Sequence, residues 1–225
     1  GTVLLPTLAK SFAQKDLGDF RSQLEKAFKL IVFLSIPSVI GLILFAQPLL
    51  ATIFQRGAFL WADVEQSSLS LIAFAGGLPF FMAMKVLVPA FFARQDTKTP
   101  MLIALFSLSL NIVLNYFLAF HLQYGHLGLA LASSIASVLS VTFLCILLAK
   151  QELITFQILI SSFALKILVA SIALVLFLVF MSNAMSFETL NETQRITHLL
   201  FVLLTSIIIY FGASYCLGIK MRDFK

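Results

Sequence analysis

The sequence contains 225 residues, of which 60% are hydrophobic and only 11% carry a formal charge. Soluble globular domains average about 25% charged residues, so this composition excludes an ordinary soluble fold and indicates an integral membrane protein. The net charge of +5 does not point to nucleic acid. Its cations lie in short stretches beside apolar runs and not on one basic face.

The first 28 residues precede the first complete apolar run. They open with GTVLLP, which lacks an initiator Met and the layout of a signal peptide, so we expect the chain to begin in the last turns of a preceding helix. From residue 7 to 28, apolar residues recur every three to five positions, with lysine and arginine between them. This spacing predicts an amphipathic helix, broken at Gly18, that either lies on an anionic membrane surface or packs on the next span.

Each of the six apolar runs that follow is long enough to cross a bilayer. They cover residues 29–50, 67–92, 101–121, 127–149, 158–181 and 198–217. Pro37 lies inside the first run and frees the carbonyl of Phe33, because proline has no N–H group to bond it. The sequence therefore predicts an all-α integral membrane protein with about six transmembrane helices and an N-terminal amphipathic interfacial helix.

The second run ends in the segment KVLVPAFFARQDTKTP, residues 85–100. Its first residue, Lys85, places a cation within the run, which costs about 2.5–3.5 kcal/mol near a helix centre on insertion scales. Pro89 frees the carbonyl of Lys85, and Pro79, ten residues earlier in the same run, removes another backbone hydrogen bond. We therefore predict a discontinuous helix. Lys85 is either a pathway cation that binds an anionic group or a structural lysine bonded to the freed carbonyls.

Three polar residues of the third run, Ser107, Asn111 and Asn115, repeat every four positions and therefore share one helix face. They either line a cavity or form hydrogen bonds between helices. Lys166 lies early in the fifth run, where its side chain can extend to the membrane surface. Small residues at four-residue spacing in the fourth run predict close helix packing there, and these are Gly128, Ala132 and Ala136.

The distribution of Lys and Arg predicts the orientation in the membrane. With the amphipathic segment inside the cell, the outer loops carry only Arg56 and Arg195, and Lys85 and Lys166 are intramembrane. This bias predicts an even number of spans and a cytoplasmic C-terminus. The inner set is Lys10, Lys15, Arg21, Lys26, Lys29, Arg94, Lys98, Lys150, Lys220, Arg222 and Lys225.

The complete runs contain no Asp or Glu, so they offer no material for a proton or sodium relay built on buried carboxylates. The three histidines are too scattered to suggest a metal site. We also find no motif of a hydrolase or nucleotide-binding enzyme, and no polar cluster that an integral membrane transferase would need. We therefore expect neither an enzyme nor a cofactor.

Three segments, GTVLLPTLAKSFA, FQRGAF and KVLVPAFFARQDTKTP, resemble the MurJ family, formerly MviN. These proteins are lipid II flippases of bacterial cell-wall synthesis within the multidrug/oligosaccharidyl-lipid/polysaccharide (MOP) exporter superfamily. The resemblance implies fourteen spans, arranged as two six-helix lobes and two extra C-terminal helices. Residues 1–28 would then hold the end of a preceding helix and the cytoplasmic amphipathic segment, residues 29–149 four helices of the C-terminal lobe, and residues 150–225 the two extra helices and a cytoplasmic tail.

The resemblance also implies a function in the bacterial inner membrane. Lipid II, an undecaprenyl-pyrophosphate-linked peptidoglycan precursor, would pass from the inner to the outer leaflet by alternating access, together with the missing N-terminal lobe and surrounding membrane lipids. A cationic central cavity would hold the pyrophosphate and sugars, and the last two helices would form an apolar groove for the tail. The family's essential arginines lie outside this chain, so we expect it to be inactive alone.

On this reading the candidate site residues fall into three groups. The substrate pathway contains Lys85, Asn111 and Asn115; an inside gate, or simply a tight cytoplasmic connection, contains Arg94, Asp96 and Lys98; and Lys166 lies by the lipid-tail groove. Two other classes stay open, namely a related exporter of drugs or other polyprenyl-linked sugars, and a membrane scaffold that transports nothing. Buried carboxylates in the missing half would favour a cation-coupled drug antiporter, and cavity arginines there an anionic lipid head group.

Overall fold

The computed structural model describes residues 4–154, 162–184, 187 and 190–219. Six of its helices are long and apolar enough to cross a membrane, which confirms the six predicted spans. The elements in chain order are α1 Leu4–Ala13, α2 Leu17–Leu44, α3 Ala46–Phe54, α4 Trp61–Phe92, α5 Lys98–Asn115, α6 Gly125–Lys150, α7 Ser162–Ala184 and α8 Glu192–Cys216. A π-helical segment, Tyr116–His121, continues α5.

The break in the N-terminal amphipathic segment lies at Lys15 and not at Gly18. Lys15 has a positive φ of 56°, and the Asp16 carboxylate accepts a hydrogen bond from the Asp19 N–H at 2.9 Å. Asp is among the best residues for this capping role, so α2 begins right after it and Gly18 falls in its first turn. The second half of the segment is therefore the start of the first span, and only α1 is a separate helix.

The second span is one continuous helix, so the prediction of a discontinuous helix was wrong. Helix α4 runs unbroken through both Pro79 and Pro89. Each proline removes only one backbone hydrogen bond, and close packing on α6 supports the helix beside the first of them. A Cβ atom on Gly77 would lie 2.7 Å from Ser134 Oγ, and this hydroxyl donates to the Ala73 carbonyl at 2.7 Å.

Small residues also let α6 approach the end of α5. A Cβ atom on Gly128 would lie only 2.7 Å from the backbone nitrogen of Ala119, which belongs to the π-helical segment. Ala132 and Ala136 are fully or almost fully buried on the same side. The predicted role of this row in close helix packing is thus confirmed by the geometry.

Helix α2 belongs to two separate apolar clusters. Its first half, with Phe20 and Leu24, packs with α1 and with the ends of α4 and α6. Its second half, with Phe33, packs with α7 and α8 and with Phe45, which joins α2 to α3. The last two helices therefore attach to the rest of the bundle through α2 and α3.

The helices alternate in direction, which gives the bundle two ends. We call the end with α1, the α4–α5 turn and the end of α8 the basic end, and the opposite end, with α3 and the start of α8, the far end. At the far end, Arg195 of α8 donates to the Gln55 side-chain oxygen at 2.6 Å. Arg56 lies 3.7 Å from Glu192 in a solvent-exposed ion pair. These contacts join α8 to the residues that follow α3.

Candidate functional site

An apolar groove lies between α2, α7 and α8 and opens to the surface of the bundle. Its volume is about 420 Å³, within the range of about 300–1,000 Å³ typical of small-molecule sites. The hydroxyl groups of Ser38 and Tyr210 both donate to backbone carbonyls, so the groove presents mainly hydrocarbon. The lining residues are Leu34, Pro37, Ser38, Gly41, Leu42, Phe45, Leu49, Leu174, Leu178, Val202, Leu203, Ser206, Ile207, Tyr210 and Phe211.

Two residues of α2 help to form this groove. Gly41 leaves a gap in the wall, because a Cβ atom at this position would meet no atom within 4 Å. Pro37 frees the carbonyl of Phe33, as predicted, and the Tyr210 hydroxyl of α8 donates to that carbonyl at 2.7 Å. The proline thus creates an acceptor in α2 that fixes α8 across it.

Sequence reasoning assigned the groove to the last two helices alone and missed the contribution of α2. The usable signal was the pair Pro37 and Gly41, spaced by four residues on one helix face. Lys166 is not among the residues that line the groove. Its ammonium group lies at the basic end, 3.7 Å from where a Cβ atom on Gly218 would be. This position fits a side chain that extends toward the membrane surface, so the assignment of Lys166 to the groove is corrected.

A second cleft of about 380 Å³ lies where α4, α5 and α6 meet; its lining surface is mostly apolar and includes serine and asparagine side chains. Asn111 donates to Ser133 Oγ across the helix boundary at 3.4 Å, and Asn115 donates to the Asn111 side-chain oxygen at 2.9 Å. Ser107 donates to the Ala136 carbonyl at 3.4 Å. Ser107 and Asn111 thus do both things considered above, because they line the cleft and bond to the neighbouring helix. Asn115 takes part through its bond to Asn111.

Lys85 follows the α4 residues that line this cleft but does not line it itself. The cleft is lined on the α4 side by Phe81 and Met84, and Phe81 is one helical turn before Lys85. Helical side chains lean toward the N-terminus of their helix, which directs Lys85 along Phe81. Lys85 is exposed, and among the residues that the structure describes none forms a hydrogen bond or ion pair with its ammonium group. The structural alternative, a lysine bonded to the freed carbonyls, is therefore not what the geometry shows.

The turn between α4 and α5 is held by local contacts. The Asp96 carboxylate accepts a hydrogen bond from the Thr99 N–H at 3.0 Å, and this bond lowers the pKa of Asp96. The guanidinium of Arg94 lies 5.8 Å from the centre of the Phe12 ring of α1, and its partial burial lowers the pKa of Arg94. Lys98, the first residue of α5, is exposed. These contacts are those of a tight connection that also touches α1.

The fold and these cavities define a class of protein. Six helices long and apolar enough to cross a membrane form a cleft that contains serine and asparagine side chains and an apolar groove that opens to the surface of the bundle. This is the architecture of a polytopic membrane protein. Comparison with known proteins makes the class specific: the family described as lipid II flippase MurJ matches residues 1–193, and the chain belongs to this family.

Individual relatives agree with this assignment. The chain is 40% identical over 143 residues to a probable lipid II flippase MurJ of Vibrio cholerae, covering 64% of the chain and 27% of that protein. It is 32% identical over 226 residues to the one of Haemophilus influenzae, covering 97% of the chain and 44% of the relative. A solved structure of lipid II flippase MurJ in an inward closed conformation has a TM-score of 0.71 and 29% identity, covering 95% of the chain and 41% of that structure. The chain therefore spans less than half the length of these relatives.

Proposed function

We propose that this chain forms the C-terminal part of a transporter that moves lipid II from the inner to the outer leaflet by alternating access. The observation that carries this proposal is the apolar groove between α2, α7 and α8. A polyprenyl tail is a long, flexible hydrocarbon, and its transfer from water into a groove lined mainly by hydrocarbon is favourable. The relatives are named lipid II flippases, which suggests the head group of the substrate. The groove offers a place for its hydrocarbon tail.

The serine and asparagine side chains in the cleft between α4, α5 and α6 support a role in contact with the head group. We infer that Lys85 meets an anionic part of the substrate, because it is exposed and lies on α4 one helical turn after Phe81, which lines the cleft that contains Asn111. A charge deep in a membrane span is costly, and such residues generally mark the pathway of a transported molecule. The turn with Arg94, Asp96 and Lys98 would act at the cytoplasmic side, as a gate or as the connection that its contacts resemble.

The groove can be tested by filling it. Gly41→Leu adds four carbon atoms to an open gap in the wall, so packing in the protein stays intact while the groove loses volume. Gly212→Leu is the matched control, because Gly212 of α8 also has no atom within 4 Å of its Cβ position and does not line the groove. Both changes should be made in a chimera in which this chain replaces the matching part of the H. influenzae relative.

The assay is growth of a strain depleted of its own flippase. We expect the chimera and its Gly212→Leu form to support growth and Gly41→Leu to fail at normal protein level. Equal growth of the two variants would remove the groove from the mechanism. A direct measurement covers the case in which the two halves do not fit together. A photoreactive residue at Ile207, inside the groove, should crosslink to polyprenyl lipid, and one at the exposed Tyr215 should not.

We further propose that the basic end faces the cytoplasm of a bacterial inner membrane. The Lys and Arg bias in the sequence supports this orientation. After Cys145 and Cys216 are replaced by serine, a membrane-impermeant thiol reagent added to intact spheroplasts should label Ala58→Cys and spare Thr97→Cys. Both sites are exposed and lie at opposite ends of the bundle. Labelling of Thr97→Cys alone would invert the orientation.

A further inference from the structure

A third cavity, separate from the apolar groove and from the cleft between α4, α5 and α6, opens at the far end of the bundle. It has a volume of about 510 Å³ and lies between the start of α4 and the end of α7, with the α2–α3 joint as its floor. Its polar lining comes from Gln47, Trp61, Ser68 and Ser182. We call it the far-end cleft. It lies on the α4 side of the α2–α3 joint, whereas the apolar groove lies on the α8 side.

The groups in the far-end cleft offer neutral hydrogen bonds beside an aromatic ring. The Trp61 indole N–H donates to the Glu65 carboxylate at 3.1 Å, and the half-buried ring packs against the apolar cluster with Phe45 while it also lines the cleft. Ser68 donates to the Glu65 carbonyl at 2.7 Å and keeps acceptor capacity. Among the described residues, none bonds to the side chains of Gln47 or Ser182, and both are exposed. The cleft is thus lined by one amide, two hydroxyls and one indole, and the Ser68 hydroxyl belongs to an almost fully buried residue.

The charge around the far-end cleft disfavours an anion. The described residues that line it include no Lys, Arg or His. The charged residues nearest to Trp61 along α4 are Asp63 and Glu65, both acidic. A phosphate or carboxylate would therefore meet repulsion and no cationic partner. An uncharged molecule with many hydroxyl groups and an apolar ring face suits the lining, because it can exchange hydrogen bonds with the amide and hydroxyls while it stacks on the indole.

We propose that the far-end cleft is a binding site for an uncharged sugar. This inference deepens the proposed function and rests on it for one point only, namely that the sugar belongs to a lipid-linked substrate which has reached the far side of the membrane. The tail would lie in the apolar groove during transport, and the far-end cleft would receive the sugar part as the substrate leaves. Trp61, at the start of α4, is then a residue that contacts substrate.

The sequence contains a single tryptophan, so Trp61 emission reports directly on this cleft. The 225-residue chain would be placed in phosphatidylcholine nanodiscs, with its helix content verified by circular dichroism, and titrated with N,N′-diacetylchitobiose. We expect a saturable change in emission. Gln47→Leu and Ser182→Ala should each weaken binding about fivefold, because each removes one hydrogen-bonding group. Gln151→Leu removes the same amide from an exposed site at the basic end and should leave binding unchanged.

Other outcomes would overturn the inference. These are no saturable change with the native chain, equal affinity of the Gln47→Leu and Gln151→Leu variants, or a stronger response to glucose 6-phosphate than to chitobiose. A response to phosphatidylglycerol in the nanodisc without any sugar would assign the far-end cleft to a phospholipid head group instead. Failure of the inference is distinguishable from failure of the proposed function, because this assay involves no transport. Gly212→Leu, at a residue that lines neither the groove nor the far-end cleft, should bind chitobiose normally.

Discussion

The hydrogen bond between Tyr210 of α8 and the Phe33 carbonyl of α2 gives the sharpest test of how the last helix is attached. Tyr210→Phe removes only the hydroxyl and keeps the ring, whose centre lies 5.3 Å from that of Phe33. Hydrogen bonds between membrane helices contribute on average about 0.6 kcal/mol and at most about 1.7 kcal/mol. The Phe33 carbonyl has lost its helical partner to Pro37, and an unsatisfied buried acceptor costs about 1–3 kcal/mol. We therefore expect a loss of about 1–2 kcal/mol, or roughly 5–30-fold in the unfolding equilibrium.

A double-mutant cycle separates this cause from a general loss of packing. Pro37→Ala restores an N–H group that can bond the Phe33 carbonyl within α2, so the acceptor no longer depends on Tyr210. In that background, Tyr210→Phe should cost at least about 1 kcal/mol less than it does in the native chain. The measurement is reversible unfolding in mixed detergent micelles, followed by circular dichroism and by tryptophan emission; the two probes must give coincident transitions. An equal cost of Tyr210→Phe in the two backgrounds would refute the argument that the proline creates the acceptor.

Three further predictions concern the α4 helix and its connection. Gly77→Ala should destabilise the bundle by about 1–3 kcal/mol relative to Gly76→Ala in thermal unfolding, because its methyl group meets the serine hydroxyl of α6 at 2.7 Å whereas the control meets nothing within 4 Å. Asp96→Ala should lose about 1 kcal/mol in the same assay and Asp96→Asn much less, since Asn also caps helices. The folded-state pKa of Asp96 is lowered, so the stability that its carboxylate adds is present above the unfolded pKa of about 3.9 and is lost as pH falls through the folded value; an Asp96 contribution that grows on acidification would contradict this sign. Lys85→Ala in the chimera should abolish growth at normal protein level while Lys85→Arg retains part of it, and full growth of Lys85→Ala would remove this residue from the pathway.

The helices could be predicted because each span is an apolar run longer than a bilayer requires, and the fate of one carbonyl could be predicted because proline chemistry is local. Pro37 shows this, since the sequence alone identified the acceptor that Tyr210 fills. The same rule failed for Pro79, because the sequence does not reveal that Ser134 and Gly77 bring α6 close enough to support α4 there. Local propensity identifies a weakened hydrogen bond, whereas tertiary packing decides whether the helix breaks.

The cavities were harder to predict for a related reason. Each is formed by three or more elements, and the residue that matters is often small, so it leaves no signal in hydropathy. Gly41 contributes to the groove because it has no side chain to fill it. Gln47 and Ser182 both line the far-end cleft, although 134 residues lie between them in the sequence. Lys166 shows the converse. Its charge within an apolar run led to its assignment to the lipid-tail groove, but its position at the basic end does not support that assignment.

Helix α2 links these cavities and gives the chain a physical basis for coupling them. Its first half is buried in the cluster that holds α1, α4 and α6, and its second half forms one wall of the groove and, through the α2–α3 joint, the floor of the far-end cleft. A tilt of α8 against α2 must therefore change the groove and strain the Tyr210–Phe33 bond together, because both depend on the same pair of helices. The far-end contacts of Arg195 with Gln55 and of Glu192 with Arg56 resist that tilt. Polar contacts therefore hold α8 at two levels, at Tyr210 and at its start with Glu192 and Arg195. Loss of a contact at either level should change how the groove holds a hydrocarbon tail before it changes the fold of the helices.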